Sequence, residues 1–148
     1  MSNLKVKNQE IKKFSLREEQ TCWNEQAHIA FSYEMLTTDD DFTFKHFANI
    51  REQINAREAL DDFLKEVSSN TWRDLQQRNK RQRGGFEIIS SSIVKDGVCR
   101  SQLLSKESDI IVFRFGGDKY RLLGYKRAKC HILYILGYDF DFSAYNHG

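Results

Sequence analysis

Residues 110–148 read IIVFRFGGDKYRLLGYKRAKCHILYILGYDFDFSAYNHG, and the rest of the chain is organised around this stretch. Two apolar runs flank Gly116-Gly117-Asp118, and apolar side chains alternate in them with Arg114 and Arg121 at the two-residue period of a half-buried strand. A third run, Cys130 to Gly137, is almost wholly apolar, as expected for a strand that is buried on both faces. The stretch therefore predicts an antiparallel three-strand meander with cations on its turns and on one face.

The region before this meander predicts two helices and two more strands. Residues 29–36 alternate as a first strand, and Phe86 to Ser90 form another. Ile54 to Val67 carries apolar residues at spacings of three and four, which indicates an amphipathic helix. Thr71-Trp-Arg-Asp74 has the spacing of a capping box and predicts a short second helix through about Arg78. This order predicts an α+β fold, with a helical hairpin packed on a mostly antiparallel sheet of four to five strands.

Length and composition set the broad class of protein. The chain has 148 residues, which is the size of one domain, and we assign that domain to residues 21–148. Residues 1–20 are rich in Lys, Glu and Gln and predict an N-terminal arm that is either helical or disordered. The three cysteines lie far apart without a CxxC pair, which argues against a disulfide framework and against a structural zinc site.

The sequence also indicates where the protein works. Residues 1–20 are charged throughout, so they do not resemble a secretory signal. Apolar runs stay well short of the roughly 20 residues that are needed to cross a bilayer. We expect a cytoplasmic protein that binds neither membrane, metal nor cofactor.

Cations are concentrated in three places outside the strands themselves. A dense run ends at Gly84-Gly85, a second group fills the turn before the last strand, and one lysine follows the Gly116-Gly117 turn. Each could be an ordinary solvated cation, but together on one surface they would make RNA the leading ligand. The predicted RNA-binding residues are Lys119, Lys126, Arg127, Lys129, Arg78, Lys80, Arg81 and Arg83.

The element order and the stretch Phe113-Arg-Phe-Gly-Gly-Asp-Lys-Tyr-Arg121 resemble the RelE/ParE-type toxin superfamily, whose ribosome-dependent members cleave messenger RNA. The resemblance covers residues 29–148, mainly as a pattern of elements. Family members often have a strand bearing Arg or Lys, a Gly turn, and then a Tyr-Arg pair. The resemblance implies a RelE-like endoribonuclease of toxin or phage-defence type, which acts on mRNA at the ribosome and is held by a cognate antitoxin.

The same resemblance implies a set of catalytic residues. Arg121 takes the place of the family's arginine that contacts the scissile phosphate, and Arg114 that of a basic residue on the preceding strand. Tyr145, or alternatively His147, takes the place of the C-terminal residue that acts on the 2′-hydroxyl.

Metal-free RNA cleavage sets requirements that these residue types can meet. A base must take the 2′-hydroxyl proton, cations must stabilise the phosphorane, and the leaving 5′-oxygen must be protonated. Arginine suits the second role because its planar fork bonds two phosphate oxygens at once. His147 carries an imidazole, the side chain that most often acts as a general base. A tyrosine base at position 145 instead needs a lowered pKa, which Arg114, Arg121 and Lys126 could provide.

Two acidic residues depart from the family pattern. Asp139 and Asp141 stand just before the C-terminal site residues, where the family often has basic ones. Acids beside an RNA groove weaken phosphate binding. The sequence therefore leaves a second function open, that of a non-catalytic module of the same fold that binds nucleic acid or a protein partner.

Overall fold

The computed structural model describes residues 26–99, 104 and 107–147, so the predicted arm at 1–20 lies outside the described residues. Within this range the α+β class is confirmed, because two helices accompany a five-stranded mixed sheet. The elements are β1 (Ala30–Ser32), α1 (Ile50–Ser68), α2 (Trp72–Gln76), β2 (Phe86–Ser90), β3 (Asp109–Phe115), β4 (Tyr120–Lys126) and β5 (Ile132–Asp139). Short 3-10 turns lie at Asp40–Phe42, Phe44–His46 and Ser91–Ile93.

The strands lie in the order β1-β5-β4-β3-β2. Strands β2 to β5 pair antiparallel, so the predicted meander is confirmed, whereas β1 pairs parallel with β5 at the sheet edge. Gly116 and Gly117 turn the chain between β3 and β4 at φ of 62° and 70°, a conformation that glycine adopts without the strain a side chain would bring. The first strand is shorter than the predicted 29–36, because the backbone turns back where Leu36 donates to the Tyr33 carbonyl oxygen (3.1 Å).

Helix α1 begins earlier than its apolar pattern suggests. The Asn49 side chain caps it by accepting hydrogen bonds from the backbone N–H groups of Arg51 and Glu52. Ile50 and Ile54, in the first turns, are exposed, so the buried stripe starts only at the next turn. The stripe buries Ala56, Leu60, Phe63 and Val67, and the Phe63 ring lies 5.3 Å from the Phe113 ring of β3.

Helix α2 is held in place by the cap at its first turn and by its buried side chains. Thr71 and Asp74 form the predicted capping box, in which each side chain accepts from the other residue's backbone N–H. Trp72 and Leu75 are buried, and the Trp72 indole donates to the backbone oxygen of His131 (3.1 Å). The short helix thereby joins α1 to the β4–β5 end of the sheet.

Replacing Thr71 by alanine should lower the free energy of unfolding by about 1 kcal/mol, because the Asp74 N–H loses its acceptor at the helix start. Chemical denaturation of wild type and variant measures this difference. Thr38→Ala is a matched control, since Thr38 is exposed and lies outside the helices. Equal losses in the two variants would contradict a specific capping role.

Strand periodicity gives the sheet two different faces. The face packed against α1, here the helix-covered face, carries Ile111, Phe113, Phe115 and Leu122. The other, here the opposite face, carries Val112 and Leu123 and is covered by the 91–98 segment and the C-terminal residues. Arg114, Arg121 and Asp139 belong to this face because the register pairs them in one row across β3, β4 and β5. Among the described residues, no helix is both long and apolar enough to span a membrane.

Candidate active site

Three charged residues stand in one row at one end of the opposite face. Arg114 on β3 pairs with Arg121 on β4, and Arg121 pairs with Asp139 on β5. Chain residues 140–147 turn back over this row, and they bring Tyr145 and His147 to it. The predicted catalytic residues Arg114, Arg121, Tyr145 and His147 therefore lie on the same side of the sheet.

Arg121 is buried, with 6% of its surface exposed. Its Nη1 donates to the backbone oxygens of Asp118 (2.9 Å) and Tyr120 (3.1 Å), and its guanidinium lies 5.1 Å from the centre of the Phe142 ring. Its Nε–H is buried and finds no acceptor within the part of the chain that the structure describes. Arg121 is therefore a fixed positive charge beneath the surface, with one donor position left over.

Asp139 is turned inward, with 1% of its surface exposed. Its Oδ1 accepts from the Ser143 N–H (2.9 Å), and its Oδ2 accepts from the Ala144 N–H (3.2 Å). The Oδ2 atom also lies 3.0 Å from Nε2 of His147. This acid does not face the solvent, so it fixes the C-terminal turn and one histidine instead of repelling a ligand at the surface.

His147 combines an anchored nitrogen with an open one. Because the Asp139 carboxylate only accepts hydrogen bonds, we assign the hydrogen to Nε2, which leaves a lone pair on Nδ1. Nδ1 makes no hydrogen bond to the described residues. The ring stacks on Tyr145 at 3.9 Å and meets the edge of Phe142 at 5.1 Å. A histidine held by a buried carboxylate in this way is the usual arrangement of a general base and its orienting group.

The Tyr145 side chain is buried, and its hydroxyl group is already hydrogen-bonded. Its hydroxyl donates to Oε1 of Glu87 (3.1 Å), and Oε2 of Glu87 pairs with Nζ of Lys80 (3.4 Å). Burial, and next the neighbouring Glu87 carboxylate, raise the pKa of Tyr145 well above its ordinary value, against a smaller opposing effect of Arg121. The expectation that cations would lower this pKa is therefore wrong, and Tyr145 keeps its proton.

Four of the predicted RNA-binding cations lie away from this row. Lys126 is on the helix-covered face, with Nζ 5.6 Å from the Trp72 ring, and Arg127 lies 5.1 Å from the Tyr134 ring. Lys126 is five residues beyond Arg121 along β4, which is about 17 Å at the rise of a strand. Lys129 is exposed in the turn between β4 and β5. Lys119 lies near His46 on the side of α1. The structure does not bring these four residues to the site.

The dense run of cations at 78–83 divides between structural and exposed roles. Arg78 ties the loop to the helices, because it donates to Asn70 Oδ1 (3.1 Å) and to the Arg83 backbone oxygen (2.9 Å). Lys80 reaches the site through Glu87. Arg81 and Arg83 line a cleft of about 500 Å³ that they share with Arg114. This run therefore lies beside the candidate site, whereas the hairpin-turn cations do not.

Two residues of the site were missed by sequence reasoning. The sequence predicts Glu87 only as a residue of a strand, whereas its position opposite Val112 places it on the same face as Arg114. Asp139 was treated as an unfavourable surface charge. Its position within an otherwise apolar strand was the available signal, since a charged residue there must be paired if it is buried.

No family model, curated protein or solved structure matches this chain. Its chemistry is therefore inferred from the side chains and their geometry.

Proposed function

We propose that this chain is a RelE-like, metal-independent endoribonuclease in which His147 is the general base. The observation that carries the proposal is the 3.0 Å contact between His147 Nε2 and the buried Asp139 carboxylate, next to the buried Arg121. The same contact fixes the orientation of the imidazole ring, so that Nδ1 is the ring nitrogen that does not contact Asp139. Arg114, which is only partly buried and paired with the exposed Asp118 at 3.1 Å, is the arginine nearest to solvent in the row.

The proposed reaction uses the adjacent 2′-hydroxyl of the RNA. His147 Nδ1 takes its proton, the 2′-oxygen bonds to phosphorus, and the bond from phosphorus to the 5′-oxygen breaks. The 5′-oxygen takes a proton from water, and the hydroxide that remains takes the proton back from His147, so the products are a 2′,3′-cyclic phosphate and a 5′-hydroxyl. Arg114 and the buried Arg121 supply positive charge for the phosphorane.

The fold gives this proposal further support. The order of one strand, a helical hairpin and a strand meander is the order that the RelE resemblance implies. If mRNA is the substrate, the enzyme works in the cytoplasm. The family resemblance extends the proposal to a toxin or phage-defence role, with the ribosome and an antitoxin as partners. Expression of the wild-type chain in a bacterial host should then arrest growth.

The purified chain should cut single-stranded RNA in the presence of EDTA and leave 2′,3′-cyclic phosphate ends. Chromatography and mass spectrometry of the products measure both points. A matched substrate with a 2′-deoxynucleotide at the cleavage position should stay intact, because it lacks the attacking oxygen. RNA that stays intact both free and on ribosomes, or cleavage of the deoxy substrate at the same rate, would contradict the proposal.

One observation favours binding without cleavage as the second candidate. Arg121 and Tyr145 are buried and each already forms hydrogen bonds, so neither exposes its head group to a phosphate at the surface. If RNA stays intact, filter binding at increasing salt separates the remaining alternatives. A phosphate-dominated complex weakens as salt rises, whereas absence of RNA binding at low salt leaves a protein partner.

A further inference from the structure

A cleft opens beside the catalytic row, where the sheet end meets the helices. It encloses about 500 Å³ between α1, the 78–83 loop and the β3–β4 turn. Its apolar wall is formed by Phe63 and Phe115. Gly116 and Gly117 also line it, and they have no side chains that would fill the space. At Gly117 an added Cβ would meet no atom within 4 Å, so the space above the turn is open. A flat group of nucleobase size fits such a space.

The charges of the cleft are balanced between cations and acids. Its charged lining residues are Arg81, Arg83, Arg114, Asp62, Glu66 and Asp118. Arg114 pairs with Asp118 at 3.1 Å, and Glu66 lies 3.9 Å from Arg78. Among the described residues, the side chains of Asp62, Arg81 and Arg83 form no ion pair. The cleft therefore offers one unengaged acceptor group and two unengaged donor groups to a ligand.

This set of groups matches a particular chemistry. A bare phosphate would meet Asp62 and Glu66 as well as the arginines, and like charges would oppose its entry. A guanine base presents N1–H and N2–H donors on one edge, which a carboxylate accepts, and O6 and N7 acceptors, which a guanidinium donates to. Adenine has an acceptor at N1, so it cannot give the carboxylate the same pair of donors.

We propose that this cleft is a guanine subsite for the RNA substrate, with Asp62 accepting from the Watson–Crick edge and Arg81 or Arg83 donating to O6 and N7. The inference rests on the proposed function, because the base would belong to the RNA that is cut. The two sites are connected through Arg114, which lines the cleft and stands opposite Arg121 in the row. An RNA strand that places a guanine here would pass around the β3–β4 turn to reach His147.

Isothermal titration calorimetry with GMP, AMP, CMP, UMP and inorganic phosphate tests the subsite. Wild type should bind GMP at least about tenfold more tightly than the other three nucleotides, the discrimination expected of one bidentate pair. Asp62→Asn keeps the size of the side chain but loses the paired acceptors, so its affinity for GMP should fall to that for AMP. Asp61→Asn is the matched control, because Asp61 lies next to Asp62 on α1 and lines a different cavity. It should bind GMP as wild type does.

The possible results separate this inference from the proposed function. GMP preference without RNA cleavage supports the subsite and removes the ribonuclease. Cleavage with equal binding of all four nucleotides, or with phosphate binding as tightly as GMP, overturns the subsite and keeps the ribonuclease. Retained GMP preference in Asp62→Asn also overturns it, provided that thermal melting shows the variant to be folded. Where RNA is cleaved, wild type should cut beside guanosine and Asp62→Asn should lose this preference.

Discussion

Replacing His147 by glutamine is expected to slow RNA cleavage by about 100- to 10,000-fold, the usual contribution of a general base. The effect follows from geometry, because the buried Asp139 carboxylate holds the ring at Nε2 and leaves Nδ1 to act as the base. Glutamine has no basic nitrogen that could replace Nδ1. The variant should keep the wild-type melting temperature within a few degrees, since His147 lies on the outer side of the C-terminal turn. Initial rates on a labelled oligonucleotide and a thermal melt give the two measurements.

Two further variants sharpen this expectation. Tyr145→Phe should retain cleavage within about tenfold, because a phenol whose pKa is raised does not act as the base. His28→Gln is the matched histidine control, since His28 is exposed and lies at the β1 end of the sheet. Wild-type cleavage by His147→Gln, together with loss in Tyr145→Phe, would transfer the role of base to the tyrosine and contradict the proposed mechanism.

Replacing Asp139 by alanine is expected to lower the free energy of unfolding by about 3 kcal/mol. The carboxylate is buried and accepts from two backbone N–H groups and from His147, so its removal leaves buried donors without acceptors. It also removes the negative neighbour of Arg121 in the row, which leaves a buried positive charge with less compensation. Urea denaturation followed by tryptophan fluorescence measures the loss.

Asp141→Ala is the matched control for this stability effect. Asp141 is exposed, and its Oδ1 accepts hydrogen bonds from the backbone N–H and the hydroxyl of Ser143, two residues away. The loss of free energy there should stay below about 1 kcal/mol, as for most surface substitutions. Equal effects at positions 139 and 141 would show that Asp139 does not have the structural role described above.

Much of the sheet and the helices was predictable because long, regular patterns specify them. The alternation around Phe113 and Leu122 placed β3 and β4 correctly, and Phe86–Ser90 has the bounds that were predicted for it. Helix α2 was predictable from its first turn, since Thr71 and Asp74 form the box that their spacing indicates. It ends at Gln76, two residues before the predicted Arg78, and Gln77 is its C-cap residue.

The parallel pairing of the edge strand could not be read from the sequence, although a strand was predicted at residues 29–36. Strand β1 has only three residues, and its partner β5 lies near the other end of the chain. A local pattern carries no information on a pairing of that kind. The start of α1 was missed for a related reason, since Ile50 and Ile54 are apolar but exposed.

For the candidate site, the alternation of side chains along a strand predicts only which face of the sheet a residue lies on. Parity places Arg114 and Arg121 on one face, as expected from their spacing. It does not tell whether an arginine on that face is exposed, and Arg121 is buried because the C-terminal residues cross over it. The protonation of Tyr145 depends on burial and on Glu87, 58 residues earlier in the chain, which no local motif contains.

The pairing of β1 with β5 has a consequence for the way in which the chain folds during synthesis. Ala30 pairs with Ile132, roughly 100 residues later, and contacts between such distant residues form slowly because a long loop must first close. Residues of the first strand therefore leave the ribosome long before their partner exists. The row of Arg114, Arg121 and Asp139 also requires β5. A nascent chain that stops before residue 132 therefore has neither the complete sheet nor the His147–Asp139 pair.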